Sequence, residues 1–254
     1  MNKAVFITVR TGSSRLPKKA LLEIGDKCAI EHVMERAKRA KKADKVIMCT
    51  TILKEDDALC GMAEKHNISF YRGSVKDKLQ RWLEAAKKYD VDFFVTADGD
   101  DLFCEPELMD RAFDQYERNH PDFIESKDLI CGAFSYAIKT KALKRVCEIK
   151  DTDDTEMMWV YFTGTGIFKT EILKSVPPVF KRPEMRMTLD YEDDLKFFRK
   201  VAGGLAGRQG LFTLRDVIDF LDKNPEVIKI NQYLQEKFLD NQRKKTRLAI
   251  KDKA

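Results

Sequence analysis

Ala4-Val-Phe-Ile-Thr-Val9, followed at once by Arg10-Thr-Gly-Ser-Ser-Arg-Leu-Pro-Lys-Lys19, decides the reading of the whole chain. A short apolar, β-rich run that ends in a polar loop reads as a strand delivering functional groups to the edge of a sheet. Residues 29–42 then carry a helical stripe of Ile30, Val33, Met34, Ala37 and Ala40. The alternation repeats outward from there. Lys45–Thr50 reads as a second strand, 55–65 as a helix, and Ser69–Tyr71 as a short strand. Leu79, Trp82, Leu83, Ala86 and Tyr89 mark the next helix, Asp92–Thr96 the next strand, and Pro106 opens a further helix at its favoured first-turn position. Strands alternating with helices of this length predict an α/β fold with a mainly parallel sheet covered on both faces.

The second half is less regular. Phe123–Ile124 and Ala133–Ile138 read as strands and Lys141–Ile149 as a helix. Met187–Leu189 reads as a late strand running into a helix at 191–202, which Gly203 and Gly204 end. Helices at about 213–224 and 226–245 finish the chain. The expected organisation is one domain over 1–205, with a helical extension and basic tail over 206–254.

Composition narrows the function classes. The chain has 254 residues and 43% hydrophobic content, with 12 Gly and 7 Pro, which is too apolar for a disordered protein. The apolar run Ala4–Val9 falls well short of a membrane span. Arg10, Arg15, Lys18 and Lys19 stand where a signal peptide would need an apolar stretch, so none is expected. Six scattered cysteines without a C-x-x-C pair, and only three histidines, argue against a zinc site or disulfide scaffold; reduced thiols in a cytoplasmic protein fit best. The net charge of +5 lies within residues 237–253, which leaves a neutral body. A basic tail with Phe238 as its only aromatic is a poor stacking platform, so no nucleic-acid partner is expected.

Three polar clusters fall at strand ends, where open α/β sheets bind their ligands. In the first, the backbone N–H groups around Gly12–Ser14 offer an anion nest, and Arg10, Arg15 and Lys19 add cations suited to a triphosphate. It is neither a Walker A loop nor G-x-G-x-x-G, and a solvated basic loop is the plain alternative. The second, Asp98-Gly99-Asp100-Asp101, gathers carboxylates that repel one another unless a cation sits between them. Mg²⁺ with phosphate oxygens would suit it, as would an acidic turn that caps the next helix. The third, Leu189-Asp190-Tyr-Glu-Asp-Asp194, has a helix N-cap as its alternative reading. His32 reads as a packed or surface residue. Ser13 and Ser14 lack His and Asp partners for a hydrolase triad.

Taken in order, these clusters resemble the cytidylyltransferase family, which includes the 3-deoxy-manno-octulosonate cytidylyltransferases and the spore-coat polysaccharide cytidylyltransferase-like proteins. Arg10, Ser13, Arg15, Leu16, Pro17 and Lys19 fit the family loop R-x-x-S-x-R-L-P-x-K. Glu31-His32-Val33, Thr50-Thr51, Gly99-Asp100 with Pro106-Glu107-Leu108, and Leu189-Asp190 with Glu192–Leu195 fit its later elements. Arg72-Gly73-Ser74 with Asp77, Leu79 and Arg81 is similar to the spore-coat branch in particular. Four departures stand out: Lys18 where the family usually has Gly, Asp98 as an additional carboxylate, Asp101-Leu102 where it has Cys-Pro or Glu-Pro, and Tyr191 where it has Thr.

The resemblance implies a Rossmann-like three-layer fold of the nucleotide-diphospho-sugar transferase type. It also implies a Mg²⁺-dependent transfer in which an acceptor oxygen attacks the α-phosphate of CTP and pyrophosphate leaves. Arg15 and Lys19 would hold the leaving phosphates, and Asp100 and Asp190 would hold Mg²⁺. Arg10, Thr11, Gly12 and Ser13 would shape the nucleotide loop, with Arg72 and Ser74 at the base or sugar end. The acceptor would be a sugar, sugar acid, phosphate or phosphonate for surface polysaccharide or glycoconjugate synthesis, and a homodimer is expected. Two alternatives remain at this point: a GT-A glycosyltransferase using Asp98-Gly99-Asp100 as a D-x-D motif, and a non-catalytic nucleotide-binding protein.

Overall fold

The computed structural model describes residues 1–207 and 211–251; Asp252 and Lys253 of the basic tail lie outside them. The chain runs through β1 (Lys3–Thr8), the small hairpin of β2 (Glu23–Ile24) and β3 (Lys27–Cys28), and α1 (Ala29–Ala37). It continues with β4 (Lys45–Thr51), α2 (Asp57–Lys65), β5 (Ser69–Gly73), α3 (Lys78–Lys88), β6 (Phe93–Asp98) and α4 (Pro106–Asn119). Then come β7 (Phe123–Glu125), β8 (Tyr136–Lys139), α5 (Thr140–Ile149), α6 (Val160–Thr163) and β9 (Thr170–Ile172). Helices α7 (Glu192–Gly204), α8 (Leu214–Lys223), α9 (Pro225–Ile228) and α10 (Leu234–Lys245) complete it.

Seven strands form one sheet in the order β5-β4-β1-β6-β8-β7-β9. The β5–β4, β4–β1, β1–β6 and β7–β9 pairs are parallel, and only β8 runs against its neighbours. This is the expected mainly parallel α/β sheet. Side chains alternate across it, as the strand period of two requires. Val5 and Ile7 of β1 join a core with α1, α4, α7 and α8, whereas Ala4 and Phe6 join a second core with α3, α5 and α6. Aromatic packing fills that second layer: Phe6 stacks on Phe94 at 4.2 Å between ring centres, and Trp82 meets Phe94 edge-on at 5.8 Å. No helix among the described residues is long and apolar enough to cross a membrane.

Three local expectations are corrected. Met187–Leu189 is not a strand: the Met187 N–H goes to Cys131 O and the Leu189 N–H to Asp100 O, so this extended segment ties two loops instead of joining the sheet. The helix expected over 226–245 is two helices. The turn between them buries Asn231, whose amide donates to Asp194 and to Arg186 O. The strand expected over 133–138 is the shorter β8, because Ala133 belongs to a turn closed onto Ile130 O.

Candidate active site

Strands β1 and β6 are adjacent, and their neighbours lie on opposite sides of the sheet, so a crevice opens beyond their carboxyl ends. Gly99 donates its N–H to Thr8 O at 2.8 Å, and a Cβ there would meet the Val9 Cβ at 2.6 Å. Only glycine lets the 97–101 turn close against the end of β1, and that closure sets Asp100 beside the 10–19 loop. The loop is anchored from below. Thr11 gives both its backbone N–H and its hydroxyl to Asp56 Oδ1, each at 2.7 Å. Asp56 is itself buried and also accepts from Thr51.

The Lys19 ammonium lies 2.6 Å from Asp100 Oδ2 and 2.8 Å from Asp190 Oδ1. Arg15 reaches the same Asp190 oxygen at 2.5 Å, and Arg186 approaches its other oxygen at 3.4 Å. Asp190 is 1% exposed, so it holds three cations in a nearly dry setting. It is not the N-cap of α7. That position is Tyr191, and Asp194, the third residue of the helix, reaches back to accept from the N–H groups of Asp190 and Tyr191 while pairing with Arg186 at 2.9 Å.

The charges polarise this group. Burial works against the Lys19 ammonium, but Asp100 and Asp190 outweigh it and raise its pKa above the ordinary lysine value. Burial alone would raise the Asp190 carboxyl; Lys19 and Arg15 hold it below the usual carboxylate range. Asp100 goes the other way, pushed up by burial and by the neighbouring Asp190 and Asp98 charges despite Lys19. Two carboxylates with opposite shifts around one ammonium form a coupled unit.

Among the described residues, no three His, Cys, Asp or Glu side chains are arranged to hold a metal unaided. Asp100 and Asp190 nevertheless face one cation, the Lys19 ammonium, from two sides. That donor set of two hard oxygens fits Mg²⁺, which ordinarily takes one or two carboxylates and completes its shell with waters and phosphate oxygens.

These groups line a cleft of about 920 Å³. Its lining also includes Arg10, Val75, Lys78 and Arg81, Tyr136 and residues 156–159, and Gln235, Phe238, Asn241 and Lys245 of α10. Helix α10 is clamped over the site by Arg186, whose guanidinium lies 4.7 Å from the Phe238 ring centre and donates to Gln235. Tyr191 sits at the centre of a cationic ring: Arg15 lies 5.5 Å, Arg186 5.9 Å and Lys237 4.9 Å from its ring centre.

A cytidylyltransferase family model matches residues 4–204. The chain belongs to the cytidylyltransferase family. It is 34% identical over 239 residues to an uncharacterised protein of Methanocaldococcus jannaschii, covering 91% of this chain and 95% of that one. It is 24% identical over 234 residues to the spore coat polysaccharide biosynthesis protein SpsF of Bacillus subtilis, covering 89% and 97%. A solved cytidylyltransferase from Leptospira borgpetersenii superposes with a TM-score of 0.79 at 26% identity, covering 90% of this chain and 97% of that chain.

Within this cytidylyltransferase, the expected loop residues converge. Arg10, Gly12, Ser13, Arg15 and Lys19 all line the cleft with Asp100 and Asp190, while Thr11 lies beneath as the anchor. Among the described residues, the N–H groups of Gly12, Ser13 and Ser14 have no acceptor and remain free for an anion. Lys18, in the usual glycine position, takes φ 52° in the left-handed region, the conformation that glycine adopts without strain.

Arg72 and Ser74 are placed elsewhere. Arg72 donates to Thr51 O and Leu53 O and pairs with Asp57 at 2.6 Å, bracing the β4–α2 loop. The Ser74 hydroxyl accepts from the Asp77 N–H. Arg81, Lys78 and α10 line the cleft without having been expected as site residues, and the buried Arg186 stands behind them, joining α10 to Asp190 and Asp194. Arg81 alone carried a signal, as part of the branch-specific Arg72–Arg81 motif.

Proposed function

We propose that this protein transfers a cytidylyl group from CTP to a sugar or sugar-like acceptor, with loss of pyrophosphate. The observation that carries the reading is the convergence of Lys19 on Asp100 and Asp190 directly beside a loop with free backbone N–H groups. An acceptor oxygen forms its bond to the α-phosphorus as the bond to the β-phosphate oxygen breaks. Chemistry of this kind depends on positioning and charge neutralisation more than on covalent help from the protein. Arg15 and Lys19 neutralise the β- and γ-phosphates and the departing pyrophosphate.

Asp100 and Asp190 would hold Mg²⁺, which when bound supplies Lewis-acid polarisation of the α-phosphate. Loading the site requires Lys19 to exchange carboxylates for phosphate oxygens, so the ion pairs of the free protein are the stand-in for the nucleotide and its cation. The acceptor is assigned to the hydrogen-bonding groups of Tyr136, Gln235, Asn241 and Gln242, which also line the cleft.

Pyrophosphate release from CTP, assayed against a panel of 3-deoxy-keto-acid sugars, amino-deoxy analogues, sugar phosphates and phosphonates, tests the reading. Release with CTP and one acceptor class is expected. Transfer of sugar from a nucleotide-diphosphate sugar, with CTP inert, would overturn it.

A further inference from the structure

Glu125, the last residue of β7, is partly buried and lines the cleft. Among the described residues its carboxylate has no ion-pair or hydrogen-bond partner, and burial, the one influence on it, pushes the carboxyl above its ordinary value. Asp101 lines the same cleft, 8% exposed, and accepts from the Ser135 hydroxyl at 3.1 Å. It too lacks an ion-pair partner among the described residues, and burial and the Asp100 and Asp98 charges push its carboxyl up. Four other carboxylates of the cleft are paired. Asp100 and Asp190 share Lys19, Asp98 meets Lys78 at 3.2 Å, and Glu156 meets Lys245 at 3.5 Å.

The cations of the lining stand elsewhere. They belong to the loop after β1 or to the segment after β5, save Lys245, which Glu156 takes. Strands β8 and β7 lie on the far side of β6 from β1, β4 and β5. Glu125 is therefore separated by the width of β6 and β8 from the strands that deliver the basic segments. Its own surroundings are aromatic. Tyr136 is its cross-strand neighbour on β8. The Tyr136 ring stacks on Trp159 with 6.3 Å between centres and 19° between planes, and both rings line the cleft. Phe123, two residues before Glu125 and so on the same face of β7, stacks on Tyr136 at 5.2 Å and holds it there.

We propose that the acceptor of this enzyme carries an ammonium group, received by the Glu125 carboxylate against the Tyr136 and Trp159 rings. The inference rests on the cytidylyl-transfer reading above. The amine is the recognition group, and an oxygen of the acceptor remains the nucleophile. A carboxylate taken partly out of water without a partner is costly, and a ligand ammonium removes that cost. Aromatic faces attract the same cation. A hydroxyl in its place could donate a hydrogen bond but would balance no charge. A carboxylate in its place would meet Glu125 and Asp101 with no unpaired cation from β7 or β8 to offset them.

Pyrophosphate release with CTP and Mg²⁺ tests this on matched acceptors that differ in one group. The pairs are glucosamine 6-phosphate against glucose 6-phosphate, phosphoethanolamine against 2-hydroxyethyl phosphate, and 8-amino-3,8-dideoxy-manno-octulosonate against 3-deoxy-manno-octulosonate. In a pair that turns over, kcat/KM should favour the amine by about tenfold or more, the worth of a hydrogen bond to a charged group. N-acetylation of the favoured amine should abolish that preference. Glu125→Gln should shrink the preference to less than about threefold through the acceptor KM, with CTP affinity by calorimetry nearly unchanged. Glu125→Asp keeps the charge and should retain the preference in part. Equal or better turnover of the hydroxyl member in every active pair would overturn the inference, as would an unaltered preference in Glu125→Gln. Wild type that binds CTP yet turns over none of the amines would overturn it too and leave the cytidylyl-transfer reading standing. Wild type that does not bind CTP would overturn both.

Discussion

The Lys19 ammonium, on the loop after β1, sits 2.8 Å from the Asp190 carboxylate at the entrance to α7, so one ion pair joins the first and last polar clusters of the sheet. Asp100 closes the triangle from β6 at 2.6 Å. Three segments remote in sequence share one ionic group. Under the proposed function, Lys19 would leave these carboxylates when nucleotide and metal bind.

Asp100 and Asp190 should separate under mutation. Asp100→Asn keeps an acceptor for Lys19 and should lower kcat/KM by about 100-fold or more, with little change in melting temperature. Asp190→Asn leaves Lys19, Arg15 and Arg186 short of their common counter-charge. It should cost about 3–5 kcal/mol of stability as well as activity. Parallel kinetics and thermal unfolding check this pair; full turnover in Asp100→Asn would remove that residue from the chemistry.

Tyr191 stands where the family usually has Thr, and its ring carries Arg15, Arg186 and Lys237. Tyr191→Thr should weaken triphosphate binding about three- to tenfold, in keeping with about 0.5–1 kcal/mol for a partly exposed cation–π contact. The effect should appear in KM for the nucleotide before kcat. A variant with unchanged nucleotide KM would show that the ring does not position Arg15.

Glu31 provides a pH test away from the cleft. Burial would raise its carboxyl, but hydrogen bonds from the Cys28 N–H and thiol, His66 and Lys65 bring it down to about 2 from the ordinary 4.5. A carboxyl depressed in the folded state stabilises fully above its unfolded pKa and loses that stabilisation as pH falls through its folded value. Glu31→Gln should therefore be less stable than wild type at pH 7, by at most about 3 kcal/mol. The difference should shrink between pH 5 and pH 2. Denaturant midpoints across that range measure it, and a pH-independent difference would show that the charge of Glu31 is immaterial.

The sheet was legible because β1, β4 and β6 are apolar runs bounded by polar turns, and the alternating helices announce parallel order. The 10–19 loop was legible as a candidate site for the same reason: Arg10, Arg15 and Lys19 crowd a single strand end. What escaped was non-local. Helix α10 reads as a solvated basic segment, since its contacts with the cleft run through Gln235, Phe238 and the distant Arg186. Met187 and Leu189 alternate like a strand because both are buried, but their backbone partners are loop carbonyls. Arg72 and Arg81 look equivalent in sequence. Only the fold distinguishes the one tied to Thr51, Leu53 and Asp57 from the one left with an unpaired nitrogen.

The most direct measurement is thermal unfolding of the wild-type protein with CTP, UTP, GTP, ATP and a UDP-sugar in turn, each with and without Mg²⁺. A nucleotide at 100 times its Kd adds about 2.7 kcal/mol, which for a chain of this size raises Tm by roughly 5–10 °C. The expected result is a large Mg²⁺-dependent shift with CTP and a small one with the other nucleotides. A shift with the UDP-sugar and none with CTP would contradict cytidylyl transfer.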